Sequence, residues 1–285
     1  MGEKDKQRNF LSQLMLCFPE TLLYNPEGEI PSNKQDATCK TLHRRILFIG
    51  NDSKSEKIPD KVHNYCTLEK EVSKEHEVDQ EMLNKLLEIL DTNLGQTYER
   101  VSSTIYENKV SWKDNKWEEM LSSDLVYVTY GLDDTKTRTF VPLMYLSFML
   151  TEEIDISKIN LTEHVIYLYE IQLLPELRGQ GIGQKMMECL KDTSIKYNET
   201  KSYGDIITSV ALTVFSSNEA AFRFYKKMGF EFTAGSPRDE KIMSIASRTR
   251  KRFTGKVTED ISGTSSTKGY RISKPIYYLL YLPLK

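Results

Sequence analysis

The chain has 285 residues, of which 39% are hydrophobic and 28% are charged, and its formal net charge is −2. This length exceeds a single domain of about 150 residues, and the modest apolar content predicts a packed domain with solvated insertions. A charge so close to zero does not favour a nucleic-acid-binding protein. No apolar run approaches the roughly 20 residues needed to span a bilayer. No signal-peptide or myristoylation pattern is visible, so we expect no membrane attachment.

The cysteines and histidines show no metal-binding pattern. The chain has four of each, and none has the paired spacing of a zinc site. We therefore expect no metal, and we expect free thiols, which suit a reducing cytoplasm or nucleus. The cysteines are Cys17, Cys39, Cys66 and Cys189.

Hydrophobic periodicity outlines an N-terminal extension, residues 1–77. Apolar residues at helical spacing predict an amphipathic helix over 9–23, and a β-prone run predicts a short strand over 44–49. Residues 51–77 are rich in charged and small polar side chains, which predicts a mobile linker.

The main domain, residues 78–285, combines helices and strands. In chain order the patterns predict helices over 79–98 and 112–121, strands over 125–130, 141–150 and 165–173, a glycine-rich turn, a helix over 184–196, a strand over 210–215, a helix ending at Gly229, and strands over 230–232 and 276–282. We expect the first three strands to be antiparallel. A polar hairpin is predicted over 133–138, a longer connection over 152–163 and a flexible insertion over 233–270.

The glycine-rich turn is the most informative stretch. Residues 178–183 read Arg-Gly-Gln-Gly-Ile-Gly, between an apolar β-prone run and a helix. The first N–H groups of a helix lack intrahelical partners and the helix dipole adds positive charge, so this helix start favours a phosphate. Gly181 and Gly183 lack a Cβ that would keep a phosphate away, and Arg178 could add a charged donor. The stretch predicts a pyrophosphate site; a glycine turn without a ligand is the alternative.

Two common phosphate-binding motifs do not fit this turn. Gly183 is followed by Gln184 rather than by the Lys-Ser/Thr of a Walker loop, and the glycine spacing differs from a dinucleotide-binding fingerprint. The turn instead resembles Arg/Gln-x-x-Gly-x-Gly/Ala, the acetyl-CoA loop of the GNAT superfamily of N-acetyltransferases. The phrase Asn-x-x-Ala-x-x-x-Tyr-x-x-x-Gly-Phe, at 218–230, resembles a second motif of that superfamily.

The resemblance implies an α/β protein with the GNAT fold, in which helices flank a mixed central sheet and an N-terminal helical extension is added. It implies acetyl-CoA as cosubstrate, with the pantetheine arm paired to the strand backbone as an added strand would be. The cofactor-binding residues that it implies are Ile171, Gln172, Leu173, Arg178, Gly179, Gln180, Gly181, Ile182, Gly183, Gln184, Asn218 and Tyr225.

One branch of the superfamily is more similar than the rest. The string Tyr-Leu-Tyr-Glu-Ile-Gln-Leu at 167–173, with phrases at 106–120 and 212–215, resembles the NatD-type histone-specific N-alpha-acetyltransferases. This implies acetylation of the N-terminal serine amine of histones four and two-A, whose tails begin Ser-Gly-Arg-Gly. It implies Glu170, Tyr225 and Tyr169 as catalytic residues, with Glu170 as general base and Tyr225 beside the leaving thiolate.

The position of Glu170 requires an irregular strand. Simple alternation would place Tyr167 and Tyr169 on one face of the strand and Glu170 on the other. A β-bulge, which the resemblance implies, would turn Glu170 toward the same cleft. The alternative is a glutamate that faces solvent or pairs with a lysine.

The resemblance also implies a narrow peptide cleft. Aromatic side chains would form its walls, Thr213 would reach the peptide backbone, and Glu153 would meet the basic tail. Thr151 stands where the family has an aspartate, which departs from the pattern for binding arginine. The aromatic residues are Tyr106, Trp112, Tyr167, Tyr169 and either Tyr277 or Tyr278.

Other functions stay open at this point. The same fold could acetylate another N-terminus, a lysine or a small amine, or could bind CoA or histones without turnover. We expect a monomer, because one chain contains every proposed part, and histone tails as partners, with the ribosome as a further candidate. No membrane and no specific nucleic acid are expected, and the expected location is cytoplasm and nucleus.

Overall fold

The computed structural model describes residues 3–27, 39–49, 62–64, 80–134, 139–200, 206–243 and 270–284. The linker predicted over 51–77 lies outside the described residues except at 62–64. Of the insertion predicted over 233–270, only 233–243 and residue 270 are described. Within the described part of the chain, no helix has the length and apolar character to cross a membrane.

Five α-helices, one short 3-10 helix (Pro175–Leu177) and eleven strands make up the described structure. The helices are α1 (Glu3–Cys17), α2 (Gln80–Ile105), α3 (Trp112–Met120), α4 (Ile182–Glu199) and α5 (Glu219–Lys227). The strands are β1 (Thr21–Tyr24), β2 (Lys40–Ile49), β3 (Val62–Asn64), β4 (Val126–Asp134), β5 (Thr139–Ile154), β6 (Thr162–Leu173), β7 (Ser209–Phe215), β8 (Glu231–Phe232), β9 (Glu240–Met243), β10 (Tyr270–Ser273) and β11 (Tyr277–Pro283).

A mixed sheet forms the centre of the molecule, in the order β1-β2-β4-β5-β6-β7-β11-β8, with β3 on β2. The predicted antiparallel arrangement of β4, β5 and β6 is confirmed, and β6 and β7 are parallel. Alternation along β4 sends Val126 and Val128 into a core shared with α1 and α4, and Tyr127 into a core shared with α2 and α3. Helices therefore cover both faces, as the GNAT fold requires.

The parallel pair separates after four residues. Residues 165–168 of β6 pair with 209–212 of β7, and the strands then diverge. Beyond this point β7 continues its pairing with β11, whereas β6 stays with β5. The backbone of 170–173 is thus paired with β5 on one side and faces a gap on the other.

A β-bulge lies at the point of separation. Ser147 of β5 is opposite Glu170, and the next residue, Phe148, is opposite Leu168, so Tyr169 is the extra residue on β6. An extra residue reverses the alternation and bends the strand. The bulge that the resemblance implied is therefore present.

The N-terminal helix ends earlier than predicted. It was expected to continue to residue 23, but α1 stops at Cys17, and Leu22 is buried in β1. Pro19 accounts for the difference, because a proline disfavours helical backbone in the preceding residue and lacks an N–H. The strand predicted over 44–49 is confirmed as part of β2, which pairs with β4. The division of the chain at residue 77 stays a prediction, although β1 and β2 belong to the central sheet.

Two predicted loops contain regular structure. The connection expected over 152–163 is shorter than predicted and covers only residues 155–161, because β5 continues to Ile154 and β6 begins at Thr162. Part of the insertion expected to be flexible is also ordered, since β9 pairs with β10. The two strands have only four residues each, so a local sequence pattern had little length in which to appear.

Candidate active site

A cleft of about 1450 Å³ opens where β6 and β7 separate. Side chains of α2, α3, α4, α5 and β11 complete its walls. Its volume exceeds the roughly 300–1,000 Å³ of sites for small ligands. The cleft therefore has room for a long cosubstrate and a second reactant.

The glycine turn forms one end of the cleft. Gly179 and Gly181 have φ angles of 77° and 74°, which L-residues with a Cβ rarely adopt. No atom lies within 4 Å of a Cβ built at either position, so it is backbone conformation that requires glycine there. Gly183 differs, since its Cβ would make an ordinary contact at 3.7 Å with the ring of Phe224.

Helix α4 begins at this turn and presents its first N–H groups to the cleft. Gly181 is the N-cap residue without a side-chain cap, and the first helical hydrogen bond runs from the Lys185 N–H to the Gly181 carbonyl at 3.0 Å. The N–H groups of Ile182, Gly183 and Gln184 precede it, and all three residues line the cleft. The predicted anion site is thus built as a helix N-terminus at the end of a large cleft.

The side chains of two predicted cofactor-binding residues form hydrogen bonds within the protein. The Arg178 guanidinium donates to the Leu173 carbonyl at 3.1 Å and to the Asn93 side chain, and it borders the cleft. The Gln180 amide binds the backbone N–H and carbonyl of Asn25, each at 2.9 Å. Gln180 is not a lining residue of the cleft. Its side chain instead connects the turn to the residue after β1, and its contact with the cofactor stays a prediction.

Glu170 lies buried at the base of the cleft with both carboxylate oxygens bound. Oε1 lies 3.0 Å from the Lys116 ammonium and accepts from the Tyr98 hydroxyl at 3.3 Å. Oε2 accepts from Gln172 Nε2 at 2.7 Å. The bulge thus brings Glu170 to the cleft, and the lysine pairing that was the alternative is also present.

Lys116, Tyr98 and Glu119 are site residues that sequence reasoning missed. Lys116 and Tyr98 are buried, and all three line the cleft. A signal was available for Lys116, because it lies four residues after Trp112 and four before Met120 on the buried stripe of α3. A lysine at a position where the helical pattern calls for an apolar residue is the signal that the sequence offered.

The structure places most of the predicted wall aromatics at the cleft. Tyr106, Tyr167, Tyr169 and Tyr277 line the cleft. Trp112 does not, because it stacks behind Tyr98 with ring centroids 5.1 Å apart and is only 6% exposed.

The choice between the last two tyrosines is resolved. Tyr277 faces the cleft, whereas Tyr278 donates a hydrogen bond to Asp239 on the far side of β11. Their opposite directions follow from strand alternation.

Thr213 and Tyr167 connect β7 to β6 at the mouth of the gap, with 2.5 Å between their hydroxyl oxygens. Burial is the main reason that the pKa of Tyr167 rises to about 12; the bond to Thr213 opposes this rise and Glu153 adds to it. Glu153 is partly buried near the Tyr167 phenol, and burial raises the pKa of its carboxyl group. Glu153 does not line the cleft itself.

Tyr225 and Asn218 belong to the opposite wall. Tyr225 lines the cleft and is 7% exposed; burial, with a smaller contribution from Glu170, raises its pKa well above the usual phenol value. Asn218 Oδ1 accepts from the Ala221 N–H at 3.1 Å and so caps α5, while the residue also borders the cleft.

Comparison with known proteins agrees with this geometry. Residues 149–232, which span the bulge, the glycine turn and α5, match the acetyltransferase (GNAT) domain family. N-alpha-acetyltransferase 40 of Saccharomyces cerevisiae is 33% identical over 235 residues, covering 81% of this chain and 77% of the relative.

Solved structures give weaker likenesses. Arabidopsis thaliana NAA60 in complex with a bisubstrate analogue is 12% identical, covers 68% of this chain and 95% of its own, and has a TM-score of 0.35. The NatC complex bound to Gag peptide and CoA is 14% identical, covers 73% of this chain and 93% of its own, and has a TM-score of 0.37. These scores are too low to carry an inference about this chain.

The fold and the cleft define a GNAT acetyltransferase, a class whose acetyl donor is acetyl-CoA. The extent of the match to the yeast relative shows more: the chain belongs to the N-alpha-acetyltransferase 40 family and is an N-terminal protein acetyltransferase.

Proposed function

We propose that the chain acetylates the N-terminal serine amine of histone tails that begin Ser-Gly-Arg-Gly, with histones four and two-A as partners. The observation that carries this proposal is the position of Glu170. The bulge at Tyr169 sets its carboxylate at the base of a cleft between a helix N-terminus and a group of tyrosines. A phosphate-bearing donor and an amine acceptor would meet there.

The donor would extend along the gap between β6 and β7. Its pyrophosphate would accept from the first N–H groups of α4, and its pantetheine arm would follow the unpaired side of 170–173. The Leu173 carbonyl already accepts from Arg178 and Asn93. We therefore assign the arm to the backbone around Ile171, and we assign to Arg178 the role of bracing the turn.

Direct transfer requires one base and one group beside the sulfur. Glu170 would take the proton of the ammonium, directly or through a water, and the free amine would attack the thioester carbonyl. Tyr225 would hydrogen-bond to the leaving thiolate as a neutral phenol, a state that its raised pKa favours. Tyr169, the bulged residue, would hold the amine near the carbonyl. Proximity of the two reactants would provide much of the acceleration.

The acceptor side is aromatic with an acidic edge. Tyr106, Tyr167 and Tyr277 would enclose the first residues of the tail, and Thr213 would reach its backbone. Glu153 lies next to the Tyr167 and Tyr169 phenols, where an arginine at the third position could pair with it. Because Thr151 replaces the aspartate of the family pattern, Glu152 or Asp155 would have to supply a second carboxylate there.

Three further features follow as proposals. We propose a monomeric enzyme, because one chain supplies all the walls of the cleft that are described. We place it in the cytoplasm and nucleus, where histones are made and used. Action on nascent histones at the ribosome and action on finished histones are both compatible with this cleft.

Peptide assays test the acceptor. Acetyl transfer would be measured on Ser-Gly-Arg-Gly peptides with a free or a blocked N-terminus, both retaining lysines, and on a free Ser-Gly-Ala-Gly peptide. Turnover on the free peptide alone, reduced when arginine is absent, supports the proposal. Turnover on the blocked peptide would show lysine as acceptor, and equal turnover on both free peptides would remove the histone assignment. Glu170→Gln should abolish turnover while CoA still binds.

A further inference from the structure

Among the residues that the structure describes, one lysine is buried. Lys116 lies on the inner face of α3, and only 7% of its side chain is exposed. A buried ammonium is costly unless it is paired and hydrogen-bonded. An apolar residue between Trp112 and Met120 would be buried at a lower cost in free energy. The presence of a charge there therefore indicates a functional role.

Lys116 has two acidic partners and one aromatic neighbour. Its Nζ lies 2.7 Å from Glu119 Oε2, 3.0 Å from Glu170 Oε1 and 5.2 Å from the centre of the Tyr98 ring. Burial lowers the pKa of Lys116, but the Glu170, Tyr98 and Glu119 contributions outweigh it and raise this pKa well above the usual value. The ammonium is therefore charged across the working pH range.

The cation acts on one oxygen of Glu170. Lys116 and Tyr98 hold Oε1, and Gln172 holds Oε2, so the plane of the carboxylate is fixed. A neighbouring cation also favours the ionised state of an acid. We infer that Lys116 is a positioning residue for acetyl transfer, which pairs with the Glu170 carboxylate and holds it in one orientation at the base of the cleft. The inference rests on the proposed role of Glu170 as the base.

The other groups that face Glu170 do not supply this charge. Tyr98 from α2, Tyr127 from β4, Tyr145 from β5 and Tyr225 from α5 all have a pKa that burial raises well above the usual value. Tyr106, directly after the end of α2, behaves in the same way. These phenols stay neutral, so the charged neighbours of Glu170 are Lys116 and the acidic Glu119, both from α3.

Opposite shifts in the pH profile test the inference. In Lys116→Met the acidic limb of kcat/KM for peptide should move up by about one pH unit or more, since an acid that loses a neighbouring cation binds its proton at higher pH. At pH 7, kcat should fall at least about tenfold, with KM for acetyl-CoA within about twofold. Glu119→Gln removes an anion instead and should move the limb to lower pH. Lys116→Arg should restore the wild-type limb.

Lys113→Met is the matched control. Lys113 lies on the same helix, but it is half exposed and pairs with Asp91 at the surface. Its replacement should leave the limb unchanged. Retained CoA binding, measured by calorimetry, would show that each variant is folded.

The outcomes separate the two proposals. If Glu170→Gln abolishes turnover but the limb stays in place in both Lys116→Met and Glu119→Gln, the role of Lys116 is overturned and that of Glu170 stands. If Glu170→Gln keeps its turnover, both are overturned. If Lys116→Met does not fold, the downward shift in Glu119→Gln decides: its presence supports the inference and its absence overturns it.

Discussion

Gln172 donates a hydrogen bond from Nε2 to Oε2 of Glu170 at 2.7 Å. Its own Oε1 accepts from Asn93 Nδ2 at 2.9 Å, and Asn93 in turn accepts from the Arg178 guanidinium. A chain of hydrogen bonds therefore runs from the glycine turn to the buried carboxylate. Asn93 on α2 therefore connects the glycine turn to the residue that holds Glu170.

Replacing Asn93 with alanine should disturb both ends. We expect kcat/KM for acetyl-CoA to fall about ten- to hundredfold, because lost hydrogen bonds to charged groups cost about 1.5–3 kcal/mol. Steady-state kinetics would measure this. Thr92→Ala is the control, since the Thr92 hydroxyl binds only the Glu88 carbonyl of its own helix, at 2.9 Å. Equal kinetics for the two variants would show that the chain of hydrogen bonds has no functional role.

Tyr225→Phe should lower kcat about 100-fold or more if the phenol assists the leaving thiolate. Because burial raises the pKa of Tyr225, the phenol stays protonated throughout the usual assay range. The loss should thus be the same at every pH, and the shape of the profile should not change. A full pH series on both proteins would check this. An altered basic limb in the variant would contradict the assignment of a neutral donor.

The glycine turn was predictable because its chemistry depends on residue type. Positive φ angles need glycine, and a helix start needs no side chain to bind an anion, so Gly179 and Gly181 could be recognised in the sequence. The long helices and the central strands were predictable for a similar reason, since one buried face imposes a period of 3.6 or 2. The roles of the individual site residues stay predictions.

Other features depend on tertiary contacts that no local pattern records. Gln180 fits the motif, but its side chain forms hydrogen bonds with the backbone of Asn25, 155 positions away in the sequence. Trp112 was predicted to line the cleft, but its ring stacks on Tyr98 and is buried in the core. Lys116 is of a type that is almost never fully buried unless it is paired, so its burial becomes reasonable only when Glu170 and Glu119 are seen beside it.

The two kinds of glycine in the turn should respond differently to alanine. Gly181→Ala places a Cβ on a left-handed backbone, which costs about 1–2 kcal/mol, and we expect weaker CoA binding. Gly183→Ala has helical backbone and an ordinary contact at 3.7 Å with Phe224, so its stability should be equal or slightly higher. Calorimetric Kd for CoA and thermal melting would compare them. An equal loss of CoA affinity in both variants would indicate that the glycines are needed to leave space for the ligand rather than to allow a positive φ.

Replacing Trp112 should lower stability, whereas replacing Tyr277 should weaken peptide binding. Trp112→Ala removes a buried ring and should cost about 3–5 kcal/mol, a Tm decrease of about 10 °C. Its KM for peptide should stay near the wild-type value, but kcat should fall, because Trp112 supports Tyr98 and Tyr98 binds Glu170. Tyr277 lines the cleft and is 37% exposed, so Tyr277→Ala should raise KM for peptide several-fold with little change in Tm. A large increase of peptide KM in Trp112→Ala at a temperature where the variant is folded would place Trp112 at the peptide after all.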